Sequence, residues 1–570
     1  MPRLVDNQRT MSGSERLRAG RVADPVHGYV TLTPIERVLI DTPVAQRLRY
    51  VSQSGLAHLV FPEVRTSRFS HSLGAMHLAS RFLSASLENA DESTRDALTS
   101  ALQAIVREVE SVADVRQFRD VLRHGLATPA VVPEQEQPWV MIVEQGLRLA
   151  ALFHDIGHLP LSHDFEYALR ELAAEGGGAR TAELEALVRQ HPGGEKLHER
   201  IGHAVGQLLL RSVFSQLEAD TQTAARVTFG VAAMILQTAT WDAGDPIPAE
   251  GGPRTPSAEA ALRWLRSLIA GELDVDRCDY VLRDARNYGF EFAIYDLTRL
   301  ADNLTVVQDG SDPPRFIEAV LPRGQSAVET LLVARSRMYQ YGVRHHKVAQ
   351  IGAALRYEIV EMLRPALLDT GRQRGGAGLA DFVDDVAAVL AADPGHLGAD
   401  QAGELLARFA TYDDVWWMER MRAEAAERPD DEWLQLVCWR AKGPKSLWKR
   451  VFDFPGGPER LYEWNQRLPE IGSQTAGLFE ESIRQLRQDR VLVTRQPFEP
   501  WKPDDADPPE SRLQFFIDGD LVPVTRVSSL VAALRDVWMH DVQVQAFAPN
   551  AESAITAEEV VEKLTFTEDR

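Results

Sequence analysis

The chain has 570 residues, too many for one compact core, and a length prior gives roughly three or four domain-sized units. It is 44% hydrophobic and 25% charged, ordinary for a globular protein with a sizeable buried core. Its 62 basic and 83 acidic residues leave a formal charge of −21, which excludes a global field for nucleic acid as main partner but leaves room for a local basic pocket that takes a phosphate-bearing small molecule.

Residues 1–20 read as a polar, disordered lead-in without the apolar stretch of a signal peptide. No run of about 18 apolar residues occurs, so no membrane span is expected. Cys278 and Cys438 are too few for a disulfide framework or a thiolate zinc site. They fit a reducing compartment, and the expected address is the cytoplasm.

Structure should begin near residue 21. Gly28 is a turn glycine, and Tyr29, Val30, Thr31 and Leu32 alternate behind it, which predicts a short hairpin or strand. Thr33-Pro34-Ile35-Glu36 is a capping box with proline at the first helical position. From there to about Leu368 the pattern is mostly helical. Met76, Ala79, Phe82 and Leu83 recur at helical spacing, as do Leu147, Ala150 and Ala151, and Ile201, Val205, Leu208 and Leu209. Stretches 127–138, 176–194 and 243–256 read as loose or inserted, and 371–380 as a break. Helices continue to about Gln488. Residues 491–494, 513–517 and 542–547 then read as strands, separated by the acidic loop PDDADPPES. The predicted division is a core over 21–370, a helical extension over 371–488 and a smaller α+β lobe over 489–570.

The stretch AALFHDIGHLPLSHDFEYAL, residues 150–169, concentrates His154, His158 and His163 with Asp155, Asp164 and Glu166. The apolar helix before it should end near Gly157 and Pro160, and Ser162 can cap the next helix. The histidines therefore sit at a break between helices, where side chains converge. Imidazole and carboxylate suit divalent ions such as Mn, Fe or Zn. Surface helix ends often carry such residues, and any one histidine alone reads that way. Other segments supply matching pieces. Arg68-Phe69-Ser70-His71 opens one helix and LDVDRCDY, residues 273–280, opens another. In the latter, Asp276, Tyr280 and Asp284 fall on one face, with Arg283 beside them.

In order, DPVHGYVTL, IDTPVAQRLRYVSQSG, VFPEVRTSRFSHSLG, LFHDIGHLPLSH, LHE and LDVDRCDYVLRDARNYG resemble the HD-domain deoxynucleoside triphosphate (dNTP) triphosphohydrolases. The closest resemblance is to the branch with the animal sterile-alpha-motif protein, without that motif's domain. The resemblance covers about residues 21–350. It implies a mainly α fold, an HD-domain helical phosphohydrolase core with a smaller α+β C-terminal lobe. It also implies hydrolysis of dNTPs at the α-phosphorus to deoxynucleoside and inorganic triphosphate.

The residues it carries over are these. His71, His154, Asp155 and Asp276 match a site for one divalent metal (Mn, Fe, Mg or Zn). His163 matches the general acid, Glu166 and His198 its supporting network, and His158 a contact to the α-phosphate. Glu166 replaces an aspartate of the animal branch. Arg68 and Arg277 match phosphate contacts, Arg277 in place of lysine. Gln53, Tyr280 and Asp284 match a sugar pocket in which tyrosine excludes ribose. Asp41, Gln46 and Arg49 match guanine-reading positions of an activating nucleotide site that goes with a homo-oligomer, tetramer or dimer. Ala23 and Tyr29 depart from the pattern at that site. Arg344-His345-His346-Lys347 reads equally as an exposed helix face or a nucleotide contact. The rival readings are an HD-family nucleotidase or phosphodiesterase, and a catalytically silent nucleotide sensor or nucleic-acid scaffold. The implied biological output is dNTP depletion, as housekeeping or in antiphage defence.

Overall fold

The Thr33 hydroxyl accepts the Glu36 N–H, and the Glu36 carboxylate accepts the Thr33 N–H, so the capping box starts the helix Pro34–Ile40 as the sequence requires. Glu36 does more than cap. Its carboxylate takes a two-pronged bond from Arg148 (2.6 and 2.7 Å) and a third bond from Gln145. That pairing lets the helix Gln137–Phe153 run through the centre of the molecule with its few polar residues buried.

The computed structural model describes residues 20–109, 115–122, 126, 129–175, 181–188, 196–214, 217, 219–237, 255–368, 378–393, 396–441, 443–449, 453–466, 474–497, 513–539, 542–550 and 555–564. The lead-in 1–19, most of the stretch 243–256, residues 371–377 and the acidic loop lie outside the described residues.

The fold is mainly helical, with three small sheets among the described residues. Strands β1 (Gly20–Asp24) and β2 (Gly28–Leu32) form the expected hairpin. Strands β3 (Leu304–Gln308) and β4 (Phe316–Val320) form a second antiparallel pair inside a region whose pattern reads as mostly helical. β5 is Lys445–Ser446, β6 Leu492–Pro497, β7 Gln514–Ile517, β8 Asp520–Pro523 and β9 Val542–Ala548. The sheet orders are β3-β4-β7-β8 and β5-β9-β6. The strands predicted after residue 488 are present, but they divide between two sheets. β7 runs parallel to β4, with Ala319 opposite Gln514. That pairing is non-local, so no local pattern announces it.

One apolar core runs from Val30 to Phe547 and takes in the helices between Leu379 and Trp439. A second, smaller core gathers Trp448, Phe454, Phe479 and Val544 around the β5-β9-β6 sheet. Within the stretch 176–194 expected to be loose, Thr181–Val188 is helical, because Leu184 and Leu187 dock into the main core. No helix among the described residues is long and apolar enough to cross a membrane.

Candidate active site

The helix Gln137–Phe153 ends with His154 as its cap, and the chain then turns sharply through residues 155–162. Gly157 makes that turn possible. A Cβ there would lie 2.2 Å from the His198 carbonyl and 2.3 Å from the Gly202 nitrogen. The turn therefore presses directly on the helix Leu197–Val213 and sets His158 against His198, their rings stacked at 3.9 Å. Leu161 and Ser162 both take φ of 58°, a left-handed conformation that costs non-glycine residues energy.

Several groups hold the strained turn. Asp414 accepts the backbone N–H of Leu161 (2.6 Å) and of Ser52 (2.8 Å), and Arg47 donates to the His158 carbonyl. The Ser162 hydroxyl donates to the Ser52 carbonyl and accepts from Arg68 Nε. Ser162 is thus not the helix cap its type predicts, since its φ is wrong for a cap and its hydroxyl is engaged elsewhere.

The metal-type residues converge. His71 Nε2 lies 3.0 Å from Asp276 Oδ1 and 3.5 Å from Asp155 Oδ2. His154 Nε2 lies 3.5 Å from Asp155 Oδ1 and 3.8 Å from Asp276 Oδ1. Both Nε2 atoms are buried without a hydrogen-bond partner. The opposite ring nitrogens are engaged: His154 Nδ1 meets the Ala151 carbonyl at 2.6 Å, and His71 Nδ1 meets Asp279 Oδ2 at 2.8 Å. Burial opposes charge on His71, yet Asp276 and Asp279 prevail and push it up to about 10. His154 is raised for the same reason, by Asp155 and Asp276 against burial. The field at this point favours a cation. The two imidazole nitrogens and the Asp276 carboxylate lie close enough together to hold a divalent ion of the first transition row, with an Asp155 oxygen 3.5 Å from each Nε2.

Asp155 joins this group to a second one. Its Oδ1 lies 3.1 Å from His158 Nε2, and its Oδ2 takes a 2.6 Å bond from Arg68. His198 Nδ1 meets Glu166 Oε1 at 2.6 Å, and His158 Nδ1 lies 3.7 Å from the same oxygen. The His163 ring centre is 4.9 Å from that of His158 and 5.2 Å from that of His198. Burial, with the charges of Arg68 and His198, holds His158 well below the usual imidazole range. Burial also lowers His163, helped by His198 and Arg68 against the pull of Glu166. Burial would raise Glu166, but His198 outweighs it and keeps the carboxyl low.

Gln53 and Asp284, two of the three residues expected in a sugar pocket, meet at Thr66. Its carbonyl accepts from the Gln53 N–H and its hydroxyl donates to Asp284 Oδ1 at 2.8 Å. Burial pushes Asp284 up to about 6. The Tyr280 hydroxyl accepts from Arg335 Nε at 3.1 Å. Arg277 is buried, and its partners are Glu272 (2.8 Å) and Asp274, not the histidines.

Asp41, Gln46 and Arg49 lie elsewhere, at and after the end of the helix Pro34–Ile40. Asp41 is exposed, while Arg49 donates to Gln46 and lies 3.8 Å over the Phe69 ring. Ala23 and Tyr29 stand opposite each other in the hairpin. The basic run 344–347 is no exposed face: Arg344 is buried and its three followers are half-buried.

Sequence reading missed Asp279, His27, Arg335 and Asp414. Asp279 carries His71 and His27 on its two oxygens and takes a two-pronged bond from Arg283. The four-residue spacing of Asp279 and Arg283 was a usable signal. Asp414 lies 253 residues from its partner Leu161, and nothing local marks it.

No family model matches the chain. Among curated proteins, it is 26% identical over 291 residues to the deoxynucleoside triphosphate triphosphohydrolase SAMHD1 of Gallus gallus, covering 50% of this chain and 37% of that protein. The Homo sapiens protein of the same name is 26% identical over 280 residues, covering 47% and 33%. An uncharacterized protein of Methanocaldococcus jannaschii is 23% identical over 348 residues, covering 61% and 51%. The chain therefore spans between a third and about half of these relatives' length. A solved phosphohydrolase of Bacteroides thetaiotaomicron matches the fold with a TM-score of 0.52 at 17% identity, over 94% of this chain and 100% of that one. A hypothetical protein of Aquifex aeolicus matches with a TM-score of 0.51 at 19% identity, over 96% and 100%. The order of histidines and aspartates along the chain, their convergence at one point and these likenesses agree: the chain is similar to the HD-domain, dNTPase-like phosphohydrolases.

Proposed function

We propose that the protein hydrolyses dNTPs at the α-phosphorus, releasing deoxynucleoside and inorganic triphosphate. One observation carries the reading. A single carboxylate, Asp155, links the free imidazole nitrogens of the metal-type cluster to the His158, Glu166 and His198 cluster, and it holds Arg68 between them. Phosphate binding and proton transfer are thereby adjacent.

His71, His154, Asp155 and Asp276 would hold a divalent ion, which supplies phosphate neutralisation and an acidified water. Arg68 offers a cation to the α-phosphate, and His158, neutral in its surroundings, offers a hydrogen bond. Water forms the new bond to phosphorus, the bond to the 5′-oxygen breaks, and His163 gives that oxygen its proton. His163 rests neutral. The charge of the incoming triphosphate raises its proton affinity, so the acid is armed by substrate. Glu166 keeps His198 in place beside it. Gln53 and Asp284 hold the 3′-hydroxyl, and Tyr280 stands where a 2′-hydroxyl would go. Arg277 reaches the outer phosphates by exchanging Glu272 for substrate.

The same reading assigns Asp41, Gln46 and Arg49 to an activating nucleotide in a homo-oligomer, and dNTP depletion, including defence against phage, to the cell. Hydrolysis in heavy-oxygen water tests the chemistry. The label enters triphosphate if attack is at the α-phosphorus. Label in inorganic phosphate or in the deoxynucleoside contradicts the reading, and turnover of cyclic or monophosphate nucleotides alone favours a phosphodiesterase or nucleotidase.

A further inference from the structure

A cavity of about 710 Å³ opens between the helix Pro256–Ala270, strand β4 and the start of β7. Its volume is that of a small-molecule site. Trp264, Leu273, Phe316 and Ile317 contribute apolar wall. Glu318 breaks the pattern. It lies on the same sheet face as Phe316 and Val320, both buried, where alternation calls for an apolar residue. Its Oε1 is buried without a hydrogen-bond partner, and so is Trp264 Nε1. Glu318 as a whole is half-buried, but a carboxyl oxygen buried without a partner carries a desolvation cost that a paired group would relieve.

The surrounding charge defines the partner. Glu259, Glu272, Asp312 and Glu318 line the cavity against two cations, Arg263 and Arg315. Arg263 is bound to Glu259 and Arg315 to Asp309, so neither reaches Glu318. Burial pushes the Glu318 carboxyl well up, and the carboxylates of Asp274 and Glu272 add to this. A cation brought to this spot relieves both effects.

We propose that this cavity binds a small organic cation, an amine or amidine on an apolar body, whose charged end meets Glu318. Glu272 shares the cavity wall and holds Arg277 at 2.8 Å. Occupancy is therefore felt at Arg277. That coupling, unlike the binding itself, rests on the phosphate-contacting role proposed for Arg277.

Titration calorimetry of the full chain with benzamidine, and with its neutral relative benzamide, tests the site. Benzamidine should bind saturably at one per chain and benzamide should not. Glu318→Gln should weaken benzamidine at least tenfold. Ala260→Leu, which adds bulk at the cavity wall without changing a charge, should also weaken benzamidine, with the helical circular dichroism spectrum retained. Absence of saturable binding at millimolar benzamidine, or equal binding by wild type and both variants, overturns the proposal. For the coupling, benzamidine should change the KM for dNTP at least threefold in wild type and not in Glu318→Gln. An unchanged KM with binding intact overturns the coupling and leaves the site standing.

Discussion

Asp279 and His71 form a buried 2.8 Å hydrogen bond that uses up Nδ1 of the imidazole and turns Nε2 toward Asp155 and Asp276. Carboxylate support of this kind fixes the tautomer and orientation of a ligating ring. Asp279 is itself fixed by Arg283 and His27. Asp279→Asn keeps the shape but weakens that support. It should lower divalent-metal affinity about 10- to 100-fold, measured by competition with a chelator, with the helical circular dichroism spectrum retained. Unchanged metal affinity would remove Asp279 from the account.

Asp284 is held by burial at about 6, so it is protonated below that pH and ionised above it. A carboxylate accepts the sugar 3′-hydroxyl better than a protonated acid does. The KM for dNTP should therefore rise as pH falls through about 6. Asp284→Asn should raise KM at neutral pH and flatten this limb. A limb that persists in Asp284→Asn belongs to another group.

His163 rests below the usual imidazole range because of burial, His198 and Arg68. If bound triphosphate restores its proton, the alkaline limb of kcat lies at higher pH than that of kcat/KM, since the former reports the complex and the latter the free enzyme. Coincident limbs in the two profiles count against arming by substrate. His163→Ala should lower kcat about 100-fold or more.

The Gly157 contact gives a stability test. Gly157→Ala puts a methyl group on the His198 carbonyl and the Gly202 nitrogen. Overpacking against backbone should cost about 1–3 kcal/mol, read as a lower midpoint in urea. A neutral result would mean that the helix Leu197–Val213 is free to shift.

Much of this site was legible in the sequence because its groups sit in short segments with local signals. His71 opens a helix, His154 and Asp155 close one, and Asp276 starts a third; helix ends give the local signal, and the family resemblance is what singles these four out together. The hairpin before Thr33 and the capping box at Glu36 were equally local. What stayed hidden depends on distant partners. The burial of Arg344, the pairing of β4 with β7 and the clamp of Asp414 on Leu161 and Ser52 arise only when remote segments pack. Ser162 shows the converse. Its residue type favours a cap, but the turn's left-handed backbone and the bond to Arg68 give its hydroxyl another task.

The most direct test of the central claim is release of inorganic triphosphate from each of the four dNTPs and from GTP, with Mn, Mg or Fe and with a second nucleotide present. The His154→Ala/Asp155→Ala protein, in which the metal-type cluster is broken, is the control. The account predicts triphosphate from dNTPs and none from GTP, lost in the control and on chelation. Triphosphate formed equally from GTP would contradict the role of Tyr280, and no triphosphate under any of these conditions would contradict the proposed reaction itself.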